Sequence, residues 1–200
     1  MNNVIAIGSG IIGLAYARES ATRAGAGSVS RETLGVLALD LFGGAYVNNT
    51  RACVRWYERA GQGRREHLVF AACHLHPLIV GATGQRDGER DNGMAWGLVH
   101  YGYMLLGTAV IRAFPARRRG LGAMLTAGGL VLDAVLGRSA AAPWFAWTYY
   151  PKLLLGHAAG SLWPDEYLGV DRWVASTRDT VYSESMRRTH DRPSPDGTLR

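Results

Sequence analysis

The sequence predicts an all-α fold: a polytopic membrane bundle of five or six transmembrane helices with a polar C-terminal tail. Three observations lead there. Apolar runs recur along the 200 residues, at 4–17, 33–50, 67–84, 92–111, 121–137 and 140–163. Several of them, MAWGLVHYGYMLLGTAVI (94–111) above all, are apolar on every helical face, and such helices need lipid or a large protein core around them. A chain of 200 residues cannot wrap several such helices in protein. Finally, basic loops alternate with near-neutral ones. Arg51, Arg55, Arg59, Arg64 and Arg65 outnumber Glu58 and Glu66 between the second and third runs, and Arg112, Arg117, Arg118 and Arg119 stand unopposed between the fourth and fifth. If all six segments cross, the positive-inside tendency then places both termini and both arginine clusters in the cytoplasm of a multi-pass cell-membrane protein.

The segments differ in character. Residues 92–111, with no Asp, Glu, Lys or Arg, are the one run that reaches the ~20 residues of a spanning helix. The others are shorter or interrupted by ionisable groups: Asp40 in the second, His74 and His76 in the third, Asp133 in the fifth, Lys152 and His157 in the sixth. Aromatic residues at segment ends, among them Trp56, Tyr57, Trp96, Phe114, Trp144, Phe145, Trp147 and Trp163, fit interfacial belts. Residues 1–163 therefore read as the helical membrane domain and 164–200 as a partly disordered cytoplasmic tail, with a surface helix at 165–182. That tail and the arginine loops hold the mean hydropathy down to −0.04. Met1-Asn2-Asn3 lacks the positive start of a signal peptide, so none is expected. Cys53 and Cys73 match no metal or redox spacing and read as buried free thiols.

The first segment holds Gly8-Ser9-Gly10-Ile11-Ile12-Gly13, a G-x-G-x-x-G after an apolar run. The stretch resembles the N-terminal fingerprint of FAD-dependent oxidoreductases, which implies a strand–turn–helix unit with a dinucleotide pyrophosphate at the helix N-terminus and an acidic ribose ligand, here Glu32. The residues before Glu32, Gly25-Ala26-Gly27-Ser28-Val29-Ser30-Arg31, do not form a buried strand, and no βαβ alternation follows. A glycine-rich helix packing in small-xxx-small fashion is the reading favoured here.

Counting ~1.5 Å per residue from the cytoplasmic ends places Asp40, His76, His100, Asp133 and Lys152 at similar depths, roughly 15–22 Å. Ionisable groups at such depth are costly and tend to face a cavity or one another. His76, His100, Asp40 and Asp133 are thus the candidate general acids and bases, and Lys152, the sole lysine among 22 basic residues, the candidate charge stabiliser or ion-pair partner of Asp40 or Asp133. Pro151 is expected to kink the last helix. His74 and His76, two apart, would point to nearly opposite helix faces. A metal held by His76, His100 and a carboxylate is an alternative use of the same residues. Asn48 and Asn49 read as capping or pore-facing amides, and Arg117-Arg118-Arg119 as a topology signal touching lipid headgroups. The arginine grouping does not point to nucleic acid. H-E-x-x-H, G-x-S-x-G and D-D-x-x-D signatures are absent from the chain. The layout, with an aromatic last segment Trp144–Tyr150, is loosely similar to sterol-isomerase-like membrane proteins of the emopamil-binding type. The paired glutamates of that family have no counterpart here, so its activity is not carried over.

The expected function is a small membrane-embedded enzyme whose His/Asp/Lys layer acts on an apolar small molecule. The alternatives are a transporter or a membrane-complex subunit, with a flavin- or nicotinamide-binding protein more distant. The expected partners are the lipid bilayer, an apolar substrate and a second copy packed through glycine-rich faces. The sequence names no cofactor.

Overall fold

The computed structural model describes residues 2–164. The tail and its expected surface helix lie outside them. The described elements are helical: α1 (Asn2–Arg23), α2 (Ser28–Val47), α3 (Arg51–Tyr57), α4 (Arg64–Ala72), α5 (His76–Arg86), α6 (Gly93–Ala113), α7 (Arg118–Leu136) and α8 (Phe145–Tyr150). A single tight turn, Pro115–Arg117, leads into α7, and α8 runs on into a wide π-type helix over Pro151–Ala158. Among the described residues, three stretches are long and apolar enough to cross a membrane: Arg64–Arg86, Gly93–Ala113 and Pro115–Leu136. From the length of the apolar runs, only residues 92–111 were expected to be.

α1 and α2 form an antiparallel hairpin. Gly8, Gly10 and Gly13 all lie inside the continuous helix α1, so the strand–turn–helix geometry of a dinucleotide loop is not formed there. The glycines serve packing instead. A Cβ at Gly10 would sit 3.0 Å from Leu39 Cδ1, and one at Gly13 would sit 2.5 Å from the Phe42 ring, while Gly8 meets open space. The outer face of α1 leaves Val4, Ile7, Ile11 and Ile12 exposed.

The third apolar run is not one helix. It breaks between α4 and α5, where Pro77 falls in the first turn of α5. Proline has no N–H and is tolerated at the start of a helix but not inside one. The break frees carbonyls that two tyrosines satisfy: Tyr101 donates to Ala72 O at 2.7 Å and Tyr149 to His74 O at 3.3 Å. α5 and α6 then cross at backbone distance. A Cβ at Gly97 would lie 2.6 Å from Pro77 O, and one at Gly81 would collide with Gly93 O.

The last run differs most from expectation. Residues 145–158 span only about 21 Å at ~1.5 Å per residue, less than a bilayer core. They occupy the middle of the bundle, touching α2, α6 and α7. Phe145, Tyr149, Tyr150, Leu153, Leu154 and Ala158 are all buried there. Pro151 produces the π-type segment expected as a kink, because its missing N–H breaks the i→i+4 ladder. Helix α3, capped by Thr50 Oγ1 accepting from Cys53 N, sits in the arginine-rich loop where no helix was foreseen.

Other expectations need correcting. Trp96, Trp144, Phe145 and Tyr57 are core residues and not interfacial ones, whereas Trp56, Phe114, Trp147 and Trp163 are exposed. Cys73 is exposed, not buried. Arg118 is buried and donates to Ala159 O, and Arg119 donates to Trp163 O, so the triple arginine fixes the end of the central helix as well as carrying charge.

Candidate functional site

The five expected residues do not form one layer. They form two groups. The first joins α2, α5 and the π-type segment. Lys152 Nζ lies 2.5 Å from Asp40 Oδ2, and His76 Nε2 lies 2.8 Å from the same oxygen. Lys152 is no snorkelling residue: its side chain is 5% exposed and that of His76 14%, but that of Asp40 is 52% exposed. The α2 sequence makes room for this reach. Asp40, Gly44 and Asn48 recur at four-residue spacing and share one face of the helix. A Cβ at Gly44 would sit 2.5 Å from Lys152 Cε, so the lysine stem crosses α2 where there is no side chain.

One turn on, Asn48 and Asn49 close the seam. Asn48 Nδ2 donates to Lys152 O at 3.2 Å and Asn49 Nδ2 to Pro151 O at 3.1 Å. Asn48 Oδ1 accepts from Tyr57 Oη at 3.2 Å and from Cys53 Sγ at 3.8 Å. Burial pushes both the Cys53 thiol and the Tyr57 phenol up from their ordinary values, so both keep the hydrogen they donate. The asparagines, Asn48 buried and Asn49 partly so, are helix-to-helix locks and not pore-lining amides.

The second group joins α6, α7 and α8. His100 Nδ1 lies 2.7 Å from Tyr150 Oη, and His100 Nε2 lies 3.8 Å from Asp133 Oδ1. Tyr150 O–H donates to Nδ1, which places the ring hydrogen on Nε2, where it faces Asp133 beyond hydrogen-bond distance and has no partner. Asp133 also has Arg138 Nε at 3.6 Å. The three side chains are buried, and Trp96 covers His100 with ring centroids 4.0 Å apart. This is an enclosed Tyr–His–Asp chain in the packed interior. Tyr150→Phe keeps the ring and leaves Nδ1 bare, and should cost about 1–2 kcal/mol of stability. Combining it with His100→Phe should cost less than the two single changes added together, because each removes the same bond. Unfolding in detergent of the four proteins measures this.

The alternative metal set is not assembled, since His76 lies against Asp40 and His100 faces Asp133 in the other group. Among the described residues no group of three or more His, Cys, Asp or Glu is placed to hold a metal ion.

The sequence reading missed Tyr150, Gly44 and His67. His67 had a signal: with Phe70 and His74 it follows the i, i+3, i+7 spacing of one helix face. His67 and His157 are buried with ring centroids 4.5 Å apart.

The cavities described lie elsewhere. One groove of about 340 Å³ runs along the outside of α5 through Leu75, Leu78, Ile79, Ala82, Thr83 and Arg86, starting one residue before His76. Another of about 350 Å³ lies between the end of α1 and Ala140 and Pro143.

The architecture defines the class as an α-helical bundle with three helical stretches long and apolar enough to cross a membrane. Comparison with protein-family models, with curated proteins and with solved structures finds no match to this chain.

Proposed function

We propose that the chain is a multi-pass membrane protein, with both termini cytoplasmic if all six apolar segments cross, that performs proton-transfer chemistry on an apolar small molecule at Asp40. One observation carries the reading. Asp40 is a half-exposed carboxylate on the flank of the bundle, with exposed Val36 and Leu39 beside it on α2 and exposed Leu75 and Ile79 on α5. A charge at such a place needs a reason to be kept. Two donors, the buried Lys152 and the partly buried His76, hold it ionised and aimed. A substrate dissolved in the bilayer would approach it sideways, across the exposed Val36, Leu39, Leu75 and Ile79. Asp40 would take a proton from carbon or oxygen, His76 would return one, and Lys152 would stabilise the anion formed between.

The test works with the substrate still unidentified. A proton returned to carbon in D2O leaves a deuterium. Membranes containing the protein, supplied with lipid extract in D2O, should yield at least one apolar compound heavier by one mass unit. Membranes with Asp40→Asn should not. The reading fails if both preparations give the same isotope pattern, or if an alkaline carbonate wash strips the protein from the membrane.

A second reading, a subunit of a membrane complex, is favoured by a separate feature. The exposed Val4, Ile7, Ile11 and Ile12 make a continuous apolar face on α1 that another membrane helix can cover.

A further inference from the structure

Asp40 borders an apolar surface, so on the membrane reading water does not reach it from its exposed side. A proton exchanged between Asp40 and water must pass through the protein, and a file of histidines leads to it. His76 has its Nε2 on Asp40, and a carboxylate only accepts, so the ring hydrogen is on Nε2 and Nδ1 is a bare acceptor. That Nδ1 is buried and has no hydrogen-bond partner. The His74 ring stacks on His76 at 5.5 Å, and its Nδ1 donates to Phe70 O at 2.7 Å, which leaves Nε2 as the exchanging nitrogen. On the far side of Phe70 stand His157 and His67, with both ring nitrogens of His67 and the Nδ1 of His157 buried and unbonded. His67 lies one turn inside the start of α4, next to exposed Arg64 and Arg65. His67 is itself buried, so the file begins just beneath the arginine-rich edge of the bundle and ends on Asp40.

Phe70 interrupts it. Its ring stacks on His157 at 4.1 Å and meets His74 at 4.5 Å.

We propose that His67, His157, His74 and His76 form a proton path from the arginine-rich edge of the bundle to Asp40, with Phe70 as its valve. The proposal rests on Asp40 being a proton-handling group. One proton leaves water and binds a ring nitrogen of His67, which passes it to His157. When the Phe70 ring swings aside, His157 gives it to His74 Nε2. His74 then releases it from Nε2 to His76 Nδ1, and His76 gives up its Nε2 hydrogen to Asp40 Oδ2. One O–H bond in water is broken and one O–H bond on Asp40 is made. Each imidazole returns to neutrality, His76 then carrying its hydrogen on Nδ1; the reverse run, which clears the proton that Asp40 takes from the substrate, restores Nε2–H, and no electron is transferred.

The experiment is solid-state NMR of the full chain in bilayers, with ¹⁵N-labelled histidine, following ring-hydrogen exchange after transfer to D2O. In the wild type, the His76 ring hydrogen should exchange well before that of His100, which belongs to the other, enclosed group. His157→Phe should slow exchange at His74 and His76 at least tenfold and leave His67 unchanged. Phe70→Ala, which keeps every histidine, should speed exchange at His76 by a similar factor. Equal exchange at His76 in wild type and Phe70→Ala overturns the valve and the path with it. Exchange that follows the pattern while no deuterium reaches any lipid compound sinks the Asp40 chemistry and leaves the path standing. Labelled product with unaltered histidine exchange does the reverse.

Discussion

Asp40→Asn will lower the unfolding free energy by about 3 kcal/mol, the low end of the cost of stranding a buried charge. The cost arises at Lys152. Its ammonium is buried, its stem is fixed across Gly44, and Asp40 is the carboxylate it reaches. Removing the acid leaves a cation that neither water nor another acid neutralises at that place. Lys152→Met alone should cost less, because Asp40 is half exposed and keeps His76. The double change Asp40→Asn with Lys152→Met should recover most of the loss, since an apolar side chain of similar length then fills the seam. Denaturation of the four proteins in matched detergent gives the coupling directly. A double variant as unstable as Asp40→Asn would show that the carboxylate stabilises the fold through something other than Lys152.

Gly97→Val is expected to be the most damaging single change away from the ionisable groups, at roughly 3 kcal/mol or failure to insert. The reason is what a new Cβ would meet: Pro77 O at 2.6 Å and Leu78 Cα at 3.0 Å. Both are backbone atoms in the first turns of α5, so no side-chain rotation can relieve the overlap. α5 and α6 would have to separate, and the Trp96–His100 layer on α6 would move with them. Gly8→Ala is the control. It is also a helical glycine, but nothing lies within 4 Å of its new Cβ. It should stabilise α1 slightly, by up to ~1 kcal/mol, through helix propensity alone. Expression level and thermal stability of the two variants, measured together, separate crowding from propensity. Similar behaviour of the two would contradict the close crossing.

Helices were legible in the sequence because apolar faces and charge positions follow from composition. The glycine count was legible too, but not which glycine mattered. Gly93-x-x-x-Gly97 is a visible small-residue spacing, while its partners Pro77 and Gly81 lie on another helix. The depth argument found Asp40, His76, His100, Asp133 and Lys152 as buried polar groups, yet depth along an axis says nothing about angle around it. His76 faces α2 and His100 faces α8, so one supposed layer became two. Tyr150 escaped notice because a tyrosine in an aromatic run reads as packing until its hydroxyl has a partner. The break before Pro77 was legible in principle. A proline within an apolar run signals either a kinked helix or two helices, and only the tyrosines that cap the freed carbonyls decide between them.

The central position of residues 145–158 has a consequence for biogenesis. On the membrane reading this segment is too short to anchor itself and carries Lys152 and His157 on a surface otherwise made for protein contact. Lipid alone would not hold it. It can leave the insertion machinery stably only after α2, α6 and α7 stand ready to receive it. The order of synthesis, with this piece emerging after those helices, is also the order in which it can be accommodated. Ribosome-stalled chains ending near residue 136 should thus present a bundle with an unfilled centre, open to quality-control proteases until the final segment arrives.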